Sequence, residues 1–142
     1  MTEDGKNAEQ MMMEYEQIRG QIEALQEGLS MIDSAIMQMD SALEALTAAS
    51  GLSAGNEILL PVGADSFLSA KITDTENVLV GIGAEVAVKK NFADAISDVK
   101  SRKDVLVKTR DGRGRELERL VGLATEMAPK LQAMMAKTQS GG

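Results

Sequence analysis

Three groupings of polar residues could, by type and spacing, support chemistry. Residues 1–50 carry ten acidic side chains against two basic ones, enough carboxylates to form an acid–base pair. They fall instead on a repeating helical pattern, where they make a solvated face. Gly81-Ile82-Gly83 has the spacing of a phosphate loop, but no Gly-Lys-Ser/Thr follows and both flanks are β-branched and strand-like. Between Lys100 and Arg119 there are eight basic and four acidic residues. Because the chain is net −7, this stretch reads as the complement of the acidic first third rather than as a nucleic-acid surface. There is no Cys and no His. Thiolate nucleophiles, His-assisted triads, disulfides and Cys/His zinc sites are therefore excluded within this chain. No catalytic, cofactor-binding or metal-binding residue is assigned, and no cofactor is expected.

What must be positioned, then, is apolar surface. In residues 9–50, Met11, Tyr15, Ile18, Ile22, Leu25, Leu29, Ile32, Ile36, Met39, Leu43 and Leu46 follow one another at alternating steps of four and three. This is the heptad seam of a coiled coil, and such a helix would span roughly 60 Å. A second seam occupies residues 91–137. It runs through Phe92, Ile96, Val99, Lys103, Leu106, Arg110, Arg113, Leu117, Leu120, Ala124, Met127, Leu131 and Met134. Asn91 is its N-cap. Three basic residues in the seam, with Gly112 and Gly114 beside them, make its middle the weakest part. Pro129 is expected to kink or fray the last turns. Residues 1–8 and 138–142 read as disordered ends. The acidic, polar start does not read as a secretory signal, and no apolar run reaches membrane-spanning length.

Between the helices, residues 57–89 change character. Ile58 to Val62 and Phe67 to Ile72 flank a turn at Gly63–Ser66. Val78 to Ile82 and Glu85 to Lys89 flank Gly83-Ala84, a tight Gly-X hairpin turn. The reading is four short strands in two β-hairpins. The fold class is mainly α with a small β insert: a long antiparallel two-helix coiled coil joined by two hairpins. Setting Leu46 opposite Phe92 at the base puts Met127 opposite Met11 and Arg110 opposite Gly28.

Isolated hairpins are marginal in water, and their open edges invite pairing. Val78, Val80 and Ile82 are expected on one face, with Val86 and Val88 on the partner strand. The hairpin residues Ile58, Leu60, Val62, Phe67, Leu68, Ile72, Val78, Val80, Ile82, Val86 and Val88 are therefore assigned to a sheet or barrel shared between subunits. At the opposite end, Met11, Met12, Met13, Tyr15, Met127, Leu131, Met134 and Met135 cluster near the helix tips. Methionine is flexible and polarizable, and packs against many shapes. These eight residues are the candidate surface for holding other proteins.

The order helix, two hairpins, helix resembles the prefoldin alpha subunits. The stretch Glu57-Ile58-Leu59-Leu60-Pro61-Val62-Gly63-Ala64 is similar to that family's first hairpin. Lys71-Ile72 through Asp74-Thr75 to Val78-Leu79-Val80-Gly81-Ile82-Gly83-Ala84 is similar to its second. The resemblance implies one domain over residues 1–142 and an alpha2 beta4 hexamer built with beta subunits and a second alpha subunit. It also implies capture of non-native proteins at the tips without ATP and transfer to a group II chaperonin. The setting implied is cytoplasmic, with no nucleic-acid or membrane partner and no enzyme activity. Two other readings compete: a non-chaperone coiled-coil assembly scaffold, and the arm of an enzyme whose catalytic domain this chain has no room for.

Overall fold

The computed structural model describes residues 3–140. The residues beyond them, and the side chains of Asp4 and residues 138–140, lie outside the description. Helix α1 runs Glu3–Ser50 and helix α2 runs Phe92–Ser140. Between them come β1 (Glu57–Gly63), β2 (Ser66–Lys71), β3 (Asn77–Gly83) and β4 (Val86–Asn91). The expected order of elements is present. The helices are longer than expected at both remote ends. Residues 3–8, expected to be disordered, continue α1, and α2 passes through Pro129 to Ser140 without a break. Lys6, Ala8 and Glu9 are compatible with helix, so the polar composition of this start did not mark its boundary.

Contacts divide the chain into two compact units. One contains α1 up to Ser34 and α2 from Val107 onward; the other is Ala35–Leu106. The first unit is a helix pair. Asp33 meets Arg110 at 3.6 Å. Further along, an Arg113 guanidinium nitrogen lies 3.3 Å from where a Cβ on Gly28 would stand. One index falls as the other rises, so the helices run antiparallel. Arg113, not Arg110, reaches the notch at Gly28, and Arg110 instead meets Asp33, five residues from its expected partner. In the second unit, Lys103 meets Asp40 at 2.6 Å. Carrying that pairing back toward the hairpins sets Gly51, just past the end of α1, level with Phe92, where Leu46 was expected. The reason is that α1 continues for four residues past the last seam leucine before it ends.

Seam burial follows the heptads. Ile32, Ile36, Leu120 and Leu131 are buried, and the other predicted seam positions of both helices are half-buried, with one exception. Arg113 is exposed. Its guanidinium lies over the Gly28 notch, and the side chain as a whole remains exposed to water. Asn91 caps α2: its Oδ1 accepts from the Asp94 amide at 2.7 Å. Beside it, Lys90 and Asp98 form an ion pair that ties the end of β4 to the first turns of α2.

Candidate functional site

The two hairpins are built to one pattern. β1 and β2 pair antiparallel, with Glu57 opposite Lys71 and Leu60 opposite Leu68. β3 and β4 repeat this register twenty positions later, with Asn77 opposite Asn91 and Val80 opposite Val88. Each pairing shifts just before its turn, between Pro61 and Gly63 and between Gly81 and Gly83. Val62 and Ile82 are thus the extra residues of two equivalent bulges.

The turns repeat as well. Ala64 and Asp65 have φ of 49° and 58°, and Ala84 and Glu85 have 51° and 61°. Two consecutive left-handed residues make a type I′ turn, the geometry that matches strand twist. The preceding Gly63 and Gly83 sit at φ 101° and 105°, where a side chain would be strained. The Gly83-Ala84 turn expected from sequence is therefore displaced by one residue. Gly83 pairs with Val86, and Ala84-Glu85 form the loop. The bulge also removes Ile82 from the row shared by Val78 and Val80: both valines are half-buried, whereas Ile82 is exposed.

A third turn joins the hairpins. Asp74 accepts the amides of Glu76 and Asn77, each at 2.9 Å on Oδ1. Those bonds, Asn77 first and Glu76 second, stabilise the charged form and hold the Asp74 carboxyl below its usual range. On the α1 side, the Ile72 amide donates to the Asn56 carbonyl, and the Gly55 amide donates to the Ile72 carbonyl. These bonds extend the first hairpin toward the end of α1.

The apolar residues of these hairpins are largely uncovered. Leu60, Val62, Phe67, Leu68, Ile82 and Val86 are exposed, while Ile58, Ile72, Val78, Val80 and Val88 are half-buried. Sequence reasoning missed Leu59 and Leu79, which are 68% and 69% exposed. They are counterparts in the twenty-residue repeat, and aligning Gly63-Ala64 with Gly83-Ala84 is the signal that would have found them. The first hairpin is apolar on both faces. Leu59, Pro61 and Phe67 alternate with Ile58, Leu60 and Leu68 across the register. In the second, Val78, Val80 and Val88 share a face, and Leu79 lies on the other, opposite Lys89. Apolar surface on both faces of a two-stranded sheet cannot be buried by one layer of its own chain.

At the remote ends of the helices, the candidate holding residues separate into two kinds. Met13 and Met135 are 67% and 40% exposed. Met11, Met12, Tyr15, Met127 and Met134 are half-buried. Leu131, expected on the holding surface, is only 8% exposed; it belongs to the seam. Its heptad position turns it toward α1, and the same turn carries Met135 outward. Arg19 stands over the ring of Tyr15 at 5.9 Å, leaving that ring partly engaged.

A family model described as Prefoldin subunit matches residues 18–137. Prefoldin subunit alpha of Methanopyrus kandleri is 34% identical over 112 residues, covering 74% of this chain and 71% of that protein. Prefoldin subunit alpha of Methanoculleus marisnigri is 32% identical over 130 residues, covering 92% and 87%. A chain of the cryo-EM structure of filamentous PFD from Methanocaldococcus jannaschii has a TM-score of 0.67 over 80% of this chain and 93% of its own. At 19% identity, it supports the fold alone. Helix, paired hairpins and helix occur here in the expected order, within a family match that takes in both hairpins and most of both helices. The chain therefore belongs to the prefoldin family, as an alpha-type subunit with the role of a chaperone.

Proposed function

We propose that this chain works as part of an alpha2 beta4 hexamer, holding non-native proteins at its helix tips without ATP and passing them to a group II chaperonin. The observation that carries the assembly is the uncovered apolar surface of the hairpins, above all Leu59, Phe67, Leu68 and Leu79. Leaving four large apolar side chains in water forgoes roughly 1.5–3 kcal/mol each. Pairing with other subunits recovers that energy and closes the open strand edges. A second alpha chain and beta-type chains are the partners that fit.

Holding is assigned to the tips, where Met13 and Met135 are open and the half-buried Met11, Met12, Tyr15, Met127 and Met134 surround the seam. Leu131 supports this surface from within. Exposed methionine favours capture over a sealed scaffold. No residue is assigned to catalysis, cofactor or metal, and the reading is of a chaperone rather than an enzyme. It places the protein in the cytoplasm, without a nucleic-acid or membrane partner. No helix among the described residues is long and apolar enough to cross a membrane.

The test is to trim residues 1–16 and 124–142 from every alpha subunit. The expected result is an intact hexamer by light scattering with weaker suppression of aggregation of a denatured client. The remaining seam from Ile18 to Leu46 and from Phe92 to Leu120 supports the platform. Undiminished protection by the trimmed hexamer would sink the assignment of capture to the alpha tips.

A further inference from the structure

All the sulfur in this chain is thioether: ten methionines and no cysteine. None of the ten lies between residues 40 and 126, so the hairpins contain no sulfur at all. The methionines also differ in access. Met31, Met37 and Met13 are 73%, 69% and 67% exposed, and Met135 is 40% exposed. Met11, Met12, Met39, Met127 and Met134 are partly covered.

We propose that Met13 and Met135 are sites of modification by peroxide, and that their conversion to methionine sulfoxide turns the tip from client-holding to client-releasing while leaving the assembly intact. The proposal rests on capture at the tips. In the chemical step, a sulfur lone pair attacks one peroxide oxygen. The S–O bond forms as the O–O bond breaks. Sulfur is oxidised by two electrons, and hydrogen peroxide is reduced to water. No protein proton is consumed.

The product side chain is polar and chiral where the thioether was apolar and adaptable. A surface that holds clients by apolar contact loses that contact at each converted residue. The hairpins cannot respond, because they hold no methionine. A peroxide signal thus acts on capture and spares assembly. Met31 and Met37 provide an internal reference. They are at least as accessible as Met13 but lie in the interior of α1, away from the tip in sequence.

The experiment treats the full chain with hydrogen peroxide, removes the oxidant, and then assembles the chain with untreated beta subunit. Peptide mass spectrometry follows each methionine, and aggregation of a denatured client measures holding. Three proteins are compared, each with its own untreated sample: the unaltered chain, Met13→Leu with Met135→Leu, and Met31→Leu with Met37→Leu. Leucine keeps the volume and apolarity but cannot be oxidised. Met13 and Met135 should convert faster than Met11 and Met127. Holding should fall roughly tenfold in the unaltered chain and in the Met31/Met37 variant. It should change little in the tip variant, and a methionine sulfoxide reductase should restore it. Equal loss in the tip variant would overturn the proposal, as would slow conversion of Met13 and Met135. If the untreated protein fails to hold client, tip capture falls and this inference with it. If holding is present and survives complete conversion of Met13 and Met135, only the inference falls.

Discussion

Arg113 crosses Gly28 of the facing helix, its Nη1 3.3 Å from the position that a Cβ would take. The neighbour is the far end of a flexible side chain, so Gly28→Ala requires only a small shift of Arg113. Gly112→Ala and Gly114→Ala meet nothing within 4 Å. Each substitution at 112 or 114 should stabilise the chain by about 1 kcal/mol, the helical preference of alanine over glycine. Gly28→Ala should gain less, because Arg113 must move. Gly28→Leu should destabilise. Thermal melting of the assembled protein checks the order. Amide exchange around residues 110–115 should be faster than around 92–99, and the two alanine substitutions should slow it.

The hairpin turns supply a second prediction. Ala64-Asp65 and Ala84-Glu85 occupy left-handed conformations that favour Asn-Gly. Replacing either pair with Asn-Gly should stabilise its hairpin by about 1 kcal/mol. Gly63→Ala should act in the opposite direction, because its φ of 101° suits only glycine. Proton chemical-shift dispersion of the strands and melting of the assembly provide the measurements.

Assembly should depend on the hairpin faces. Leu79→Asp and Val80→Asp, on opposite faces of β3, should each block association with a partner subunit and leave helical circular dichroism nearly unchanged. An unpaired carboxylate buried at an interface costs several kcal/mol. Sedimentation with added beta subunit measures the outcome. A normal hexamer from Leu79→Asp would show that only the Val80 face is covered.

Burial predicts a division of labour at the tip. Leu131→Ala should cost about 2–3 kcal/mol of seam stability, since Leu131 is buried. Met13→Ala should barely change melting but should weaken client holding. If both substitutions shift melting equally, Met13 is a packing residue and not a contact surface.

The Asp74 turn carries an acid response. Its carboxyl is held below the ordinary value of 3.8 by amides that bond only the charged form well. The support it provides is present in full above that value and is lost as the pH falls through the lower folded one. Asp74→Asn should abolish this response while keeping an acceptor oxygen. The Asn77 amide shift, followed by NMR from pH 6 down to about 2, tests it.

Much of this architecture was legible because its periods are strong. Eleven apolar residues at steps of three and four in α1 leave no other element that buries them together. The two hairpins were legible from Gly63 and Gly83 between short β-branched and apolar runs. The ends of the helices were not, because polar residues such as Lys6 and Lys137 are equally at home in a last helical turn and in a tail. Pro129 was expected to disturb α2, yet the helix continues through it to Ser140.

By itself, then, the sequence determined the kinds of element, their order, the seam residues and the absence of thiol and imidazole chemistry. Those follow from local periodicity and residue type. Tertiary structure alone decided that Arg113 and not Arg110 lies over Gly28, and that a bulge at Ile82 moves the second turn by one residue. Heptads define a face but not its alignment with a facing helix. That alignment depends on where each helix ends and on which side chains fit a glycine notch, and both are settled only when the two helices pack.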